Sequence, residues 1–300
     1  MGNREIAIRI LVFLLIWPFT EVFGQKELHR TFRSGGKARA YILYLPEDLP
    51  ADAPLLFVMH GYTGTAEGIM TETGFNQLAD RERFAVCYPQ GLRDTSGHTY
   101  WEVGYDFTQS IRNNDLNFLN GLAIELQVRY GFSRHHTFAT GMSNGGDMCI
   151  ALAMDSRRVF KAVAPVCGSL MKKTLDQSRK APPLPVMLIN STADSITWWE
   201  GDMANLQGYG PYLPVKTMVK LLADRNGCST SKTDSLPDLD PTDGSYVVRE
   251  RYVDCIGLNP VWFYQVVGGG HDWPGLSGNK DLNATEAVWA FFKLWIQRGQ

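Results

Sequence analysis

Excess charge of either sign is missing from these 300 residues: 29 Lys and Arg stand against 31 Asp and Glu, a formal net charge of −2. Such a balance builds no basic field, which argues against nucleic acid as a partner. Histidine is scarce, six in all, and the five cysteines fall in no Cys/His spacing of a metal site, so neither a metal nor another cofactor is expected. The apolar run at residues 10–19 is too short to span a bilayer comfortably. It follows Arg4 and Arg9, and Val22-Phe23-Gly24 offers small residues for cleavage. Residues 1–24 are therefore expected to be a secretory signal peptide, with the mature chain secreted and without a stable membrane anchor. No internal repeat and no linker divides residues 25–300, which are expected to form one catalytic-sized domain.

What is present is a series of short, continuous apolar runs. Residues 54–60, 84–89, 160–166 and 184–190 have the unbroken apolar pattern of strands covered on both faces. Residues 38–46 instead alternate, as a half-buried antiparallel strand does, and further strands are expected at 246–253 and 261–267. Helical patterning fills the gaps. Leu116, Leu119, Leu122, Ala123 and Leu126 share one face of an expected helix, another covers 214–225, and Trp289, Phe292 and Trp295 mark the apolar side of a closing helix over 284–298. Strands alternating with helices predict an α/β fold, a doubly wound and mostly parallel sheet with helices on both faces.

The stretch that organises the chain is Gly141-Met142-Ser143-Asn144-Gly145, which joins the strand-like Thr137-Phe138-Ala139 to a helical pattern through Met148, Cys149, Ala151 and Leu152. This is the G-x-S-x-G pattern in the strand–turn–helix context that makes it a nucleophile elbow. The glycines are needed there because a Cβ would strike the neighbouring strand or helix, and the helix points its N-terminal N–H groups towards the serine.

A serine hydroxyl is a poor nucleophile until a base takes its proton, so chemistry at Ser143 requires a histidine and an acid to orient it. The scarcity of histidine narrows the search. His29 lies near the mature N-terminus, His60 is tied to the Gly61 turn, His98 lies in a loop, and His135 and His136 enter the elbow strand from its far end. His271 follows a buried strand through three glycines that let the backbone bend, and it is the expected general base. The acid should fall between serine and histidine in the chain. Asp194, just past the run 184–190, is the expected acid; Asp202 and Asp272 are the alternatives, and an Asx-turn is its competing role. The oxyanion donors are expected from the backbone of Asn144, after the serine, and of Tyr62, in the turn after an earlier strand. His60 reads as a packing and hydrogen-bonding residue of that turn.

Cys87, Cys149 and Cys167 lie in apolar runs and read as small buried hydrophobes. Cys228 and Cys255 sit in polar surroundings and bracket a loop-rich segment, which makes them the best pair for a disulfide.

His60-Gly-Tyr-Thr-Gly64, Tyr88-Pro-Gln-Gly91, Asn114-Asp115, the elbow with its Gly145-Gly146 pair, Ala162-Val-Ala-Pro-Val166, Asp194 and Gly270-His271-Asp272-Trp273-Pro274-Gly275 resemble one known group. It is the secreted polyhydroxybutyrate depolymerase and feruloyl esterase group of α/β-hydrolases, akin to carbohydrate esterase family 1. The likeness covers nearly the whole mature chain. It implies a carboxylester hydrolase with Ser143, Asp194 and His271 as its triad, a disulfide like Cys228 to Cys255, and an ester-bearing polysaccharide or polyester as substrate. One departure bears on the pocket: members of the group often carry His-Gly-Thr where this chain has Asn190-Ser191-Thr192. The competing readings are a peptidase or polyester depolymerase using the same triad, and a binding protein that keeps the fold without catalysis.

Tryptophan supplies the substrate expectation. Trp101 lies in a long loop before the elbow, Trp198 and Trp199 follow Asp194, and Trp273 stands two residues beyond His271. Three loops near the strands' carboxyl ends are thus expected to bring indoles to a cleft, where they would stack on a feruloyl ring or on sugar faces. Trp273, inside a rigid Trp-Pro-Gly turn, is better suited to packing its own loop.

Overall fold

The computed structural model describes residues 26–108, 113–178 and 181–298, and the expected signal peptide lies outside them. The strands, in chain order, are β1 (Lys26–Ser34), β2 (Lys37–Leu45), β3 (Leu55–Met59), β4 (Ala85–Pro89), β5 (Leu92–Arg93), β6 (Thr99–Tyr100), β7 (Thr137–Met142), β8 (Ala162–Val166), β9 (Val186–Ser191), β10 (Thr230–Ser235), β11 (Tyr246–Val253) and β12 (Val261–Val267). The helices are α1 (Ala66–Thr73), α2 (Phe75–Glu82), α3 (Asp115–Tyr130), α4 (Asn144–Ala153), α5 (Lys172–Gln177), α6 (Val215–Arg225) and α7 (Ala284–Arg298).

Ten of the strands form one sheet in the order β1-β2-β4-β3-β7-β8-β9-β12-β11-β10. The six from β4 to β12 run parallel, and antiparallel pairs close both edges. The continuous apolar runs explain the parallel centre, because every residue of β3, β4, β8 and β9 is buried and only helices on both faces can achieve that. Alternate residues serve alternate faces. Leu55, Phe57 and Met59 of β3 enter one core with Phe118, Met148 and Met218, while Leu56 and Val58 enter the other with Phe75 and Trp289.

The elbow strand is fixed from the second face. Phe138 of β7 stacks on Phe292 of α7 with centroids 4.7 Å apart, and Trp289 of the same helix stacks on Phe84. Each such fully buried ring contributes roughly 2–3 kcal/mol from area alone. On the first face, Arg39 of β2 and Asp115 of α3 form a buried ion pair at 2.6 Å, and the other Asp115 oxygen accepts the Glu102 N–H. That pair ties the long loop over 94–108 to the sheet edge. Among the described residues no helix is long and apolar enough to cross a membrane.

Candidate active site

Ser143 stands between β7 and α4 with φ 55° and ψ −120°, outside the regions an L-residue prefers. Sterics enforce the turn. A Cβ on Gly145 would lie 2.3 Å from the Met59 carbonyl oxygen, and one on Gly141 would lie 2.7 Å from the same atom. The sharp bend therefore exists only because both positions lack a side chain, as the sequence pattern requires. The Ser143 N–H donates to the Val166 carbonyl of β8 at 2.8 Å, so the strained residue is also pinned to the next strand.

His271 arrives from β12 through Gly268, whose φ is 79° and on which a Cβ would lie 2.4 Å from the Gly244 carbonyl oxygen. Its Nδ1 meets Asp194 Oδ2 at 2.7 Å. Asp194 is buried just past β9, and its other oxygen accepts the Ile196 and Thr197 N–H groups, each at 2.8 Å. The Asx-turn and the contact to histidine thus occur together, one oxygen serving each. Asp202, by contrast, has both oxygens occupied by the Leu206 and Gln207 N–H groups, and Asp272 accepts from Ser277.

The turn after β3 brings Gly61 close to the serine: a Cβ there would lie 3.4 Å from the Ser143 Cβ. Tyr62, next in that turn, lines the two cavities that also contain Ser143 and His271. Asn144 begins α4, where the first N–H groups of a helix have no partner within it. Its side chain is engaged elsewhere, accepting the Trp101 N–H at 2.7 Å and donating to the Trp101 carbonyl at 3.1 Å. His60 is buried and its Nε2 accepts the Gly91 N–H at 3.0 Å, while burial pushes its pKa down to about 4. It is a neutral fastener of the turn.

Beneath the pair, the Cys167 thiol donates to the Asp272 carbonyl at 3.3 Å, and burial pushes its pKa well up. Cys87 and Cys149 are likewise buried, and Cys228 is joined to Cys255 in a disulfide.

The tryptophan expectation requires correction. Trp101 is completely buried, and its Nε1 donates to the His60 carbonyl, so it holds the turn and the elbow together rather than facing a cleft. Trp273 is buried and donates to Thr285. Trp198 and Trp199 are half-buried: the first folds back on the Ser195 carbonyl, the second packs on Phe263 at 6.0 Å, and neither lines a cavity beside Ser143.

Tyrosine takes that place. One of the two cavities beside Ser143, about 210 Å³, is walled by Tyr62, Tyr105, Tyr209 and Tyr212, with Asp147 and Ile196. Asp147 was not anticipated at all. It is a carboxyl one helical turn beyond the serine, and burial raises its pKa to about 6 against hydrogen bonds from Tyr105 and Ser169. A lone acid in the otherwise apolar Gly146-Asp147-Met148-Cys149-Ile150 was the available signal.

The sheet order and the elbow are those of the α/β-hydrolase fold, with the His271–Asp194 contact beside the serine. The sequence model of the esterase PHB depolymerase family matches residues 39–206, and the chain belongs to that family. A Nocardia uniformis subsp. tsuyamanensis protein named as an esterase, NocK, is 27% identical over 253 residues, spanning 80% of this chain and 72% of that protein. Feruloyl esterase B of Piromyces equi is 24% identical over 78% of this chain, which spans only 42% of that enzyme's length. Among solved structures, acetyl xylan esterase from Aspergillus awamori superposes with a TM-score of 0.59 at 16% identity, covering 84% of this chain and 93% of that one, a likeness of fold.

Proposed function

We propose that the chain is a secreted serine carboxylesterase, a single catalytic domain over 25–300, that hydrolyses acetyl or feruloyl esters on plant polysaccharide through an acyl-enzyme. The 2.7 Å contact between His271 Nδ1 and Asp194 Oδ2, made across 77 residues of chain beside the strained Ser143, carries the reading. With Nδ1 engaged by Asp194, Nε2 takes the Ser143 proton as Oγ attacks the ester carbon. Charge develops on the carbonyl oxygen, where the backbone N–H groups of Tyr62 and Asn144 act as donors. The alcohol leaves with the proton held by His271, and the ester oxygen of Ser143 now carries the acyl group. Water then gives its proton to His271, attacks the acyl carbon, and releases the acid while Ser143 regains its proton.

The polysaccharide substrate rests on relatives named for feruloyl and acetylxylan esters, and the ester-bearing polymer on the family as a whole. Hydroxyalkanoate polyester is the second reading, supported by the family description and by a poly(3-hydroxyalkanoate) depolymerase among the relatives. Turnover of acetylated xylan, methyl ferulate and hydroxybutyrate oligomers by the same preparation tests the assignment. Greater activity on the oligomers than on both other substrates moves it to the second reading.

A further inference from the structure

Five hydroxyl groups around the tyrosine-walled cavity share one feature: their protons are already committed to the protein, whereas Tyr209, which also lines it, makes no hydroxyl bond among the described contacts. Tyr105 donates to Asp147 Oδ2 at 2.6 Å, Tyr62 to Asp94 at 2.7 Å, and Tyr212 to Gln207 at 2.6 Å. Ser169 Oγ donates to Asp147 Oδ1 at 3.1 Å, and Thr197 to the Cys167 carbonyl at 3.0 Å. Oxygen lone pairs are what these groups have left to offer. A hydroxyl has one proton and two acceptor sites, so once the proton is used inward the outward face only accepts. The complement of such a wall is a substrate that donates.

Asp147 locates the donor. Its N–H bonds the Ser143 carbonyl at 2.9 Å, which places it in the first turn of α4 after the nucleophile, and both residues line the same cavity. Oδ1 already accepts the Ser169 N–H and hydroxyl, while Oδ2 accepts only Tyr105 among the described contacts. An ionised carboxylate oxygen has a further lone pair to give. Asp147 and Tyr105 line the same cavity as Ser143, so the group suited to meet them is a hydroxyl a few bonds from the ester carbon rather than the phenol at the far end of a feruloyl group.

We propose that Asp147 and Tyr105 form the specificity element of the cleft and accept a hydroxyl that flanks the scissile ester. This rests on the reading of Ser143 as nucleophile. Two sources present that chemistry: the sugar hydroxyl next to an acylated one, on the alcohol side, and the 3-hydroxyl of a hydroxyacyl group, on the acyl side.

The test is kcat/KM for matched esters with and without the hydroxyl, 2-hydroxyethyl acetate against ethyl acetate and methyl 3-hydroxybutyrate against methyl butyrate. It is run on the wild type, Asp147→Asn and Tyr105→Phe, with labelling of Ser143 by an organophosphonate lacking hydroxyls. The asparagine introduces an NH₂ donor among groups that already donate to this position. The wild type is expected to favour the hydroxylated member of at least one pair by roughly tenfold, the size of one net hydrogen bond, and both variants to lose most of that ratio. The pair that shows the preference identifies the source. No preference in the wild type, or variants that slow both members of a pair equally, overturns the proposal while labelling continues. Failure of the wild type to label overturns the nucleophile reading and this proposal with it.

Discussion

Asp147 and Ser143 are joined by one turn of α4, the Asp147 N–H donating to the Ser143 carbonyl at 2.9 Å, and their side chains line the same cavity. The strained serine thus has a buried carboxyl beside it in addition to the one behind His271. The two acids are held differently: Asp194 by backbone amides and the imidazole, Asp147 by Tyr105 and Ser169.

This carboxyl predicts a pH dependence of stability. Burial raises the Asp147 pKa to about 6, above its ordinary value of 3.8, with His271, Tyr105, Tyr212 and Cys149 as the titratable groups around it. The folded state therefore binds this proton more tightly than the unfolded chain. Its contribution is full below about pH 4 and is lost as pH rises through about 6, a swing of about 3 kcal/mol. Denaturant melts of wild type and Asp147→Asn at pH 4 and pH 8 measure it: the wild type should lose ground to the variant at the higher pH. A difference that stays constant contradicts the raised pKa.

Gly145→Ala should abolish activity and destabilise the fold, because its Cβ would meet the Met59 carbonyl at 2.3 Å, a backbone atom that cannot step aside. Overpacking of this kind costs about 1–3 kcal/mol or more. Soluble protein with wild-type kcat and Tm would show that the elbow is not held by this contact.

Arg39→Met should cost about 3–5 kcal/mol by leaving Asp115 buried and uncompensated. Arg39→Met combined with Asp115→Leu should recover much of it, since no unpaired charge remains. A double-mutant cycle from thermal melts checks this; equal loss in single and double variants rejects the ion-pair account.

Replacing Cys228 and Cys255 together with serine opens a bridge that closes a sequence separation of 27 residues. Loop-closure entropy gives a loss of about 3–4 kcal/mol. Calorimetry on the oxidised wild type and the double variant reads it, and an unchanged Tm contradicts it.

The sequence made the parallel centre legible because strands buried on both faces have no polar residues to break the run; β3, β4, β8 and β9 show this. It missed β10, where Thr230-Ser231-Lys232-Thr233-Asp234-Ser235 is exposed almost throughout and is held by its ladder to β11 and by polar side-chain contacts such as Asp234 with Arg249. An edge strand with two wet faces leaves no hydrophobic period to read. The sharp turn at Ser143 and the meeting of Asp194 with His271 were legible because each residue sits where glycines or strand ends mark a turn. The cavity wall was not, since Tyr105, Tyr209 and Tyr212 come from loops whose paths no periodicity encodes. Trp101 misled for the same reason: an indole in a long loop reads alike whether it faces a cleft or, as here, fastens two turns from inside.

The central claim, that Ser143 is the nucleophile activated by His271 and Asp194, is tested most directly by intact-mass measurement after exposure to an organophosphonate. One adduct is expected on the wild type, mapped to Ser143, and none on Ser143→Ala, with kcat lower by about 10⁴-fold or more in Ser143→Ala and nearly as much in His271→Ala. Equal labelling of wild type and Ser143→Ala, or ester hydrolysis undiminished in Ser143→Ala, would contradict it.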